Sequence, residues 1–413
     1  MRRNTPSSWT LILACLLFCA QLSLGQVSSE VSSEVSSDPG RRAFEVRYSV
    51  WIKPETARAA VKIRLSDKPQ SVRWLELSID PERHRDFLCS GKVEKTGATV
   101  KWQPPAKDAW LQFDVDLMSA RGEGRFDGYI TPDWALFRAD DLVPPIRSDI
   151  EDGTMSRATL QFHLPEDWSV TTRYPKYSSG RHKVDDPERL FDRPTGWLVM
   201  GKIGTVREQI GRTKVVISAP VGQDARRMDI LALYQWTLPV MQELFPRLPE
   251  RLLVVSAGDP MWRGALSGPG SLYVHSDRPL ISNDGTSTFV HEMVHVAMGA
   301  RSGPKADWIV EGLAEYYSLE VLRRSGTLSE SRYKKALAHL AERGRDVESL
   351  EVDRCHGPIT AKAVGELHRI DQEIRRKSVG ERSLDDVLRT LAEDRGPVTR
   401  ERFFELVASA SGG

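Results

Sequence analysis

Thr288-Phe289-Val290-His291-Glu292-Met293-Val294-His295-Val296-Ala297-Met298 is followed, after a short Gly/Pro-containing connection, by Trp308-Ile309-Val310-Glu311-Gly312-Leu313-Ala314-Glu315-Tyr316. The apolar spacing predicts helices over 287–298 and 306–324, with Gly299 and Gly303-Pro304 turning the chain between them. His291-Glu292-Met293-Val294-His295 is an H-E-x-x-H pattern. Residues four apart share one helix face, so both imidazoles can reach a single zinc ion at about 2.0–2.1 Å. Glu292 is turned about 100° away, near enough to act on a water without ligating the metal. Glu311, returning on the next helix, completes three protein ligands and leaves a fourth position open, as in a catalytic zinc site. Glu315, one turn after Glu311, is placed to orient a ligating histidine. Asp307 reads by default as a helix cap.

Around these residues the sequence resembles the gluzincin branch of zinc metallopeptidases, which includes thermolysin and the aminopeptidases with an H-E-x-x-H…E-G pattern. The W-x-x-E-G-L-A-E-Y stretch resembles the peptidase-MA-like members, and the specific match runs over 262–318. The resemblance implies that His291, His295 and Glu311 bind Zn2+, that Glu292 is the general base, and that the substrate is a peptide or protein. It also implies a thermolysin-like zincin fold for the segment holding the motifs. In such enzymes a sheet strand pairs with the extended substrate, and Ser271, Leu272, Tyr273 and Val274 are the expected strand.

Three departures from the pattern stand out. Gly264-Ala265-Leu266-Ser267-Gly268 lies where the aminopeptidases carry Gly-x-Met-Glu-Asn, so Ser267 replaces the glutamate that holds a substrate α-amine. Thr360-Ala361-Lys362-Ala363 lacks the tyrosine that relatives use to stabilise the oxyanion, which leaves His356, in a Cys-His-Gly-Pro loop, as the candidate. Tyr333 and His368 are the neighbouring alternatives. Fifteen residues lie between His295 and Glu311, fewer than in those relatives.

Outward from this core the organisation follows from pattern changes. Residues 1–25 read as a signal peptide, with Arg2 and Arg3 before the apolar run Leu11–Ala20 and small residues at Ser23-Leu24-Gly25. Secretion or periplasmic export is the expectation. Lipoprotein anchoring at Cys15 or Cys19 is less well placed. Residues 26–43 form a Ser/Glu-rich linker. Alternating, β-branched runs predict a β-sandwich-like domain over 44–222, with seven tryptophans read mainly as core. The zincin catalytic domain is expected over 223–326 and a helical region over 327–413, giving an α+β fold overall. The helices expected outside the motif are 225–244, 329–343, 360–377, 383–393 and 399–409.

Composition excludes other classes. Lys and Arg number 58 against 57 Asp and Glu in 413 residues, and loss of Arg2 and Arg3 would take the charge from +1 to the acidic side of zero. Nucleic-acid binders carry a basic excess. No run beyond the signal is long and apolar enough to span a membrane. Cys89 and Cys355 would be the only cysteines left after signal removal, and whether they pair stays open. So does a second reading, in which a non-catalytic peptide- or glycan-binding protein keeps a structural or vestigial zinc site.

Overall fold

Strict alternation in the first strand, Arg42–Lys53, turns Phe44, Val46, Tyr48, Val50 and Ile52 inward and Glu45, Arg47, Ser49 and Trp51 outward. In the computed structural model, which describes residues 42–66, 69–184 and 191–412, this strand lies inside a six-stranded sheet. The sheet order is His182–Val184, Thr154–His163, Arg42–Lys53, Arg58–Ser66, Ala109–Asp116, His84–Cys89. A four-stranded sheet containing Val72–Ser78 and Thr99–Gln103, and a five-stranded sheet containing Trp134–Arg138 and Trp197–Gly201, share one apolar cluster with it. The signal-peptide and most of the linker expectation lie outside the described residues.

Tryptophan is less of a core residue here than expected. Trp102, Trp134 and Trp197 are buried. Trp51, Trp74, Trp110 and Trp168 are half-buried at the surface. Three of these four rings have a cation or a second ring against them: Lys101 Nζ sits 4.5 Å from Trp74, Lys62 Nζ sits 4.4 Å from Trp110, and His163 stacks on Trp51 at 4.6 Å.

A second mixed sheet carries the motif helices. Its order is Ile203–Ile210, Thr213–Pro220, Arg251–Ala257, Ser271–His275, Ala265–Gly268. The boundary expected at 222 therefore falls late. Lys214–Ser218 pairs in parallel with Arg251–Val255, so the last two strands assigned to the front belong to the sheet under the motif. Periodicity identifies a strand but not its partner. The helices form close to where periodicity places them: Arg227–Leu244, Thr288–Met298, Asp307–Arg324, Glu330–Arg343, Pro358–Lys377, Leu384–Asp394 and Arg400–Ala410. Trp236, on the first of these, is 65% exposed.

The C-terminal helices are not a separate body. They share one apolar cluster with the motif helices, and by tertiary contact Arg42–Gly413 is a single unit. Helix Pro358–Lys377 crosses the Glu311 helix at Gly312, where an added Cβ would meet Ala363 Cβ and Leu367 Cδ1 at 2.8 Å. A buried ionic network locks the Glu311 helix to helix Leu384–Asp394. Glu320, its side chain 5% exposed, accepts from Arg324 Nε at 2.8 Å and Arg323 Nη2 at 2.9 Å. Arg324 also reaches Asp385 at 2.8 and 3.0 Å, and Tyr317 donates to the same carboxylate at 2.9 Å.

Burial opposes ionisation of Glu320, but hydrogen bonds from Arg323 and Tyr333 outweigh it and hold the carboxyl below its usual range. A depressed carboxylate contributes stability above its unfolded pKa of about 4.3 and loses it as the pH falls through the folded value. Glu320→Ala should cost about 3 kcal/mol in denaturant melts near neutral pH, because two guanidinium groups lose their buried partner. The deficit should shrink as the pH falls below about 4, where the unfolded chain takes up a proton before the folded carboxylate does. An equal deficit at pH 7 and pH 3 would contradict this.

Candidate metal centre

The metal helix starts where Ser287 accepts a hydrogen bond from the Val290 N–H at 3.4 Å, and it stops at Gly299, whose φ of +60° suits glycine. Ser318 Oγ donates to the Ser287 carbonyl at 3.2 Å, which ties this start to the helix carrying Glu311. His291 and His295 then project side by side, their rings 4.8 Å apart and inclined at 72°.

Donor atoms of three side chains converge. His291 Nε2 and His295 Nε2 are 3.1 Å apart, and each is 3.5 Å from an oxygen of Glu311. Ligands about 2.0–2.1 Å from a tetrahedral zinc ion stand about 3.3–3.4 Å from one another. The residues present thus fit zinc in identity and spacing, and the three form the metal-competent cluster found among the described residues. His291 Nδ1 lies 2.7 Å from Glu315 Oε2. Donation from Nδ1–H to that carboxylate leaves the Nε2 lone pair facing the centre. The charges of these side chains lean on each other. Burial disfavours a charged Glu311, but the two imidazoles outweigh it and hold the carboxyl far below its usual range. Burial also disfavours protonated His291, yet Glu311 and Glu315 raise it well above the ordinary histidine value. Metal binding there must displace a proton.

Glu292 is 8% exposed and lines the cleft that opens onto this centre. Behind it, Tyr234 donates to the Phe289 carbonyl at 3.2 Å, and its ionisation is pushed up by burial and by the charge of Glu292. The cleft holds about 380 Å³. Trp262, Gly264 and Ala265 line it from the sheet side, and Leu340, Arg343 and the Cys355–Gly357 loop from the helical side. A Cβ at Gly264 would lie 2.2 Å from the Trp262 ring, so a larger residue there would displace that ring.

Each expected site residue can now be placed. His291, His295, Glu311, Glu292 and Glu315 come together. His356 lies in the cleft wall, and its loop is fixed by the Cys355 N–H donating to Asp307 Oδ2 at 2.7 Å. Asp307 thus braces this loop, and the side-chain cap expected of it is not formed. Tyr333 and His368 face a different cavity of about 500 Å³, beside Glu320 and Asp371. The strand assignment for substrate is corrected. Ser271, Leu272, Tyr273 and Val274 are buried between Arg251–Ala257 and Ala265–Gly268, so both hydrogen-bonding edges of that strand are taken. The free edge belongs to Ala265–Gly268. The His275 N–H donates to the Gly264 carbonyl, which by alternation turns the backbone groups of Ala265 and Ser267 to the open side. Cys89 and Cys355 are both free thiols. Cys355 is buried, and burial pushes its thiol up to about 11. Arg278 and Arg343, also in the cleft wall, carry no motif and were not foreseen.

No protein-family model matches this sequence, and no curated protein matches it. Solved structures do. An aminopeptidase N family protein from Idiomarina loihiensis superposes with a TM-score of 0.64 at 16% identity, over 84% of this chain and 70% of that one. Two structures of an M1 zinc metallopeptidase from Deinococcus radiodurans, one a point mutant, superpose with TM-scores of 0.57 and 0.52 at 15% identity, over 90% of this chain. The fold is that of the M1 zinc metallopeptidases. The likeness narrows the expected resemblance from thermolysin and aminopeptidases together to the M1 side. At such identities it speaks for the fold, and the chemistry rests on the residues.

Proposed function

We propose that this protein is a zinc metallopeptidase that hydrolyses peptide bonds, acting in a secreted or periplasmic location. The observation that carries the reading is the convergence of His291, His295 and Glu311 at 3.1–3.5 Å, with Glu292 on the same cleft. When bound, zinc supplies a charge that polarises a carbonyl and acidifies water. Glu292 takes the proton of the attacking water and passes it to the leaving amine. Glu315 keeps His291 in the ligating tautomer. His356, across the cleft, is the group assigned to the developing oxyanion. The backbone of Ala265 and Ser267 offers the edge along which an extended peptide pairs. Secretion rests on the Arg2-Arg3 and Leu11–Ala20 pattern alone.

The replacement of the amine-holding glutamate by Ser267 favours a second reading, a peptide-binding protein with a vestigial metal site. One experiment separates the two. The zinc-loaded protein should digest an unfolded protein mixture, and a chelator should abolish digestion, which added zinc restores. Peptide binding that persists unchanged in the metal-free protein, with no digestion in either form, would select the second reading.

A further inference from the structure

From the charges around the metal cleft we infer that it selects substrates carrying a carboxylate, an acidic side chain or a free C-terminus near the scissile bond, through Arg278 and Arg343. This rests on the metallopeptidase reading for the word substrate, but not for the binding itself. Three carboxylates line the cleft, and each is committed. Glu311 faces both imidazoles, Glu315 holds His291 Nδ1, and Glu292 is the assigned base. Gly264 and Ala265, at the start of the edge strand, form the wall, and position 267 holds a hydroxyl. Among the described residues that line the cleft, no further acid is left to hold a substrate's amino terminus.

The cations, in contrast, are unspent. Arg278 follows the inner strand Ser271–His275 and is exposed. Its Nε donates to the Arg263 carbonyl at 2.8 Å, which anchors the side chain and leaves its terminal amino groups for a ligand. Arg343 ends helix Glu330–Arg343, also exposed, with its guanidinium beside Gly357 of the His356 loop. Among the described residues neither arginine pairs with a carboxylate, while Arg263, Arg323, Arg324 and Arg375 all do. A guanidinium fork grips a carboxylate through paired hydrogen bonds, and two of them in one cleft repel a terminal ammonium. The cleft therefore complements anionic peptides.

The test uses the full chain and four pools of random heptapeptides: free ends, N-acetylated, C-amidated, and Asp/Glu-free. A fifth pool is both amidated and Asp/Glu-free. Binding to metal-free protein is read by equilibrium dialysis, and cleavage by the zinc-loaded protein is read in parallel. Acetylation should change binding less than about twofold. Removal of both carboxylate sources should weaken it about tenfold or more, as expected for lost charge-assisted hydrogen bonds. The amidated and acid-free pools then tell which source is read. Arg343→Gln and Arg278→Gln should each erase most of the preference, while Arg343→Lys keeps part of it. Raised salt should shrink it in the wild type. Equal binding of the carboxylate-free pool, loss of binding on acetylation, or an unchanged preference in both glutamine variants would overturn the inference. A preserved preference without any cleavage would leave anion recognition standing and remove the metallopeptidase reading instead.

Discussion

Glu292→Gln is expected to bind zinc with the same stoichiometry as the wild type and to lose about 10²–10⁴-fold in kcat, the span set by a positioned general base. The exchange keeps shape and hydrogen-bonding capacity but removes the group that takes a proton. The residue is 8% exposed and packs near Tyr234, so an isosteric amide should not disturb the helix. Elemental analysis measures the zinc, and peptide hydrolysis under saturating substrate measures kcat. Full activity in this variant would remove Glu292 from the mechanism. Loss of both zinc and activity would instead place it among the ligands.

The ligand series comes second in size. His291→Ala should abolish stoichiometric zinc, because two remaining donors cannot hold a structure-poor site against water. Glu315→Gln should be graded: a 10–100-fold weaker affinity with the metal still loaded at high zinc, since only the partner of His291 Nδ1 is altered. Competition with a chromogenic chelator reads both. Equal zinc affinity in Glu315→Gln and the wild type would reduce the 2.7 Å contact to a bystander. Unchanged zinc in His291→Ala would refute the ligand assignment.

The parts of this site that were readable in sequence are those governed by local spacing. His291 and His295 share a face because helical residues four apart do, and Glu311 and Glu315 share one for the same reason. The two helices were readable from apolar spacing and from Gly299. What escaped depends on which distant segments meet. Ala265-Leu266-Ser267-Gly268 is too short and too weakly patterned to announce an edge strand, whereas Ser271-Leu272-Tyr273-Val274 is apolar because it is buried between two neighbours. Likewise nothing near Lys214–Ser218 says that its partner is Arg251–Val255 rather than the preceding sheets. Tyr333 and His368 sit on well-placed helices, but the rotation of those helices turns them to another cavity.

The sequence by itself determined the spacing of His291, Glu292, His295 and Glu311, the helices that present them and the serine at position 267. These are properties of single segments, written in residue identity and in the 3.6-residue turn. Tertiary structure decided which strand lies free at the sheet edge, that Asp307 braces the His356 loop, that Cys89 and Cys355 stay apart as thiols, and that Arg278 and Arg343 reach the same cleft. Those outcomes depend on packing between segments far apart in the chain, where the burial of apolar area selects the partners and no local pattern records the choice.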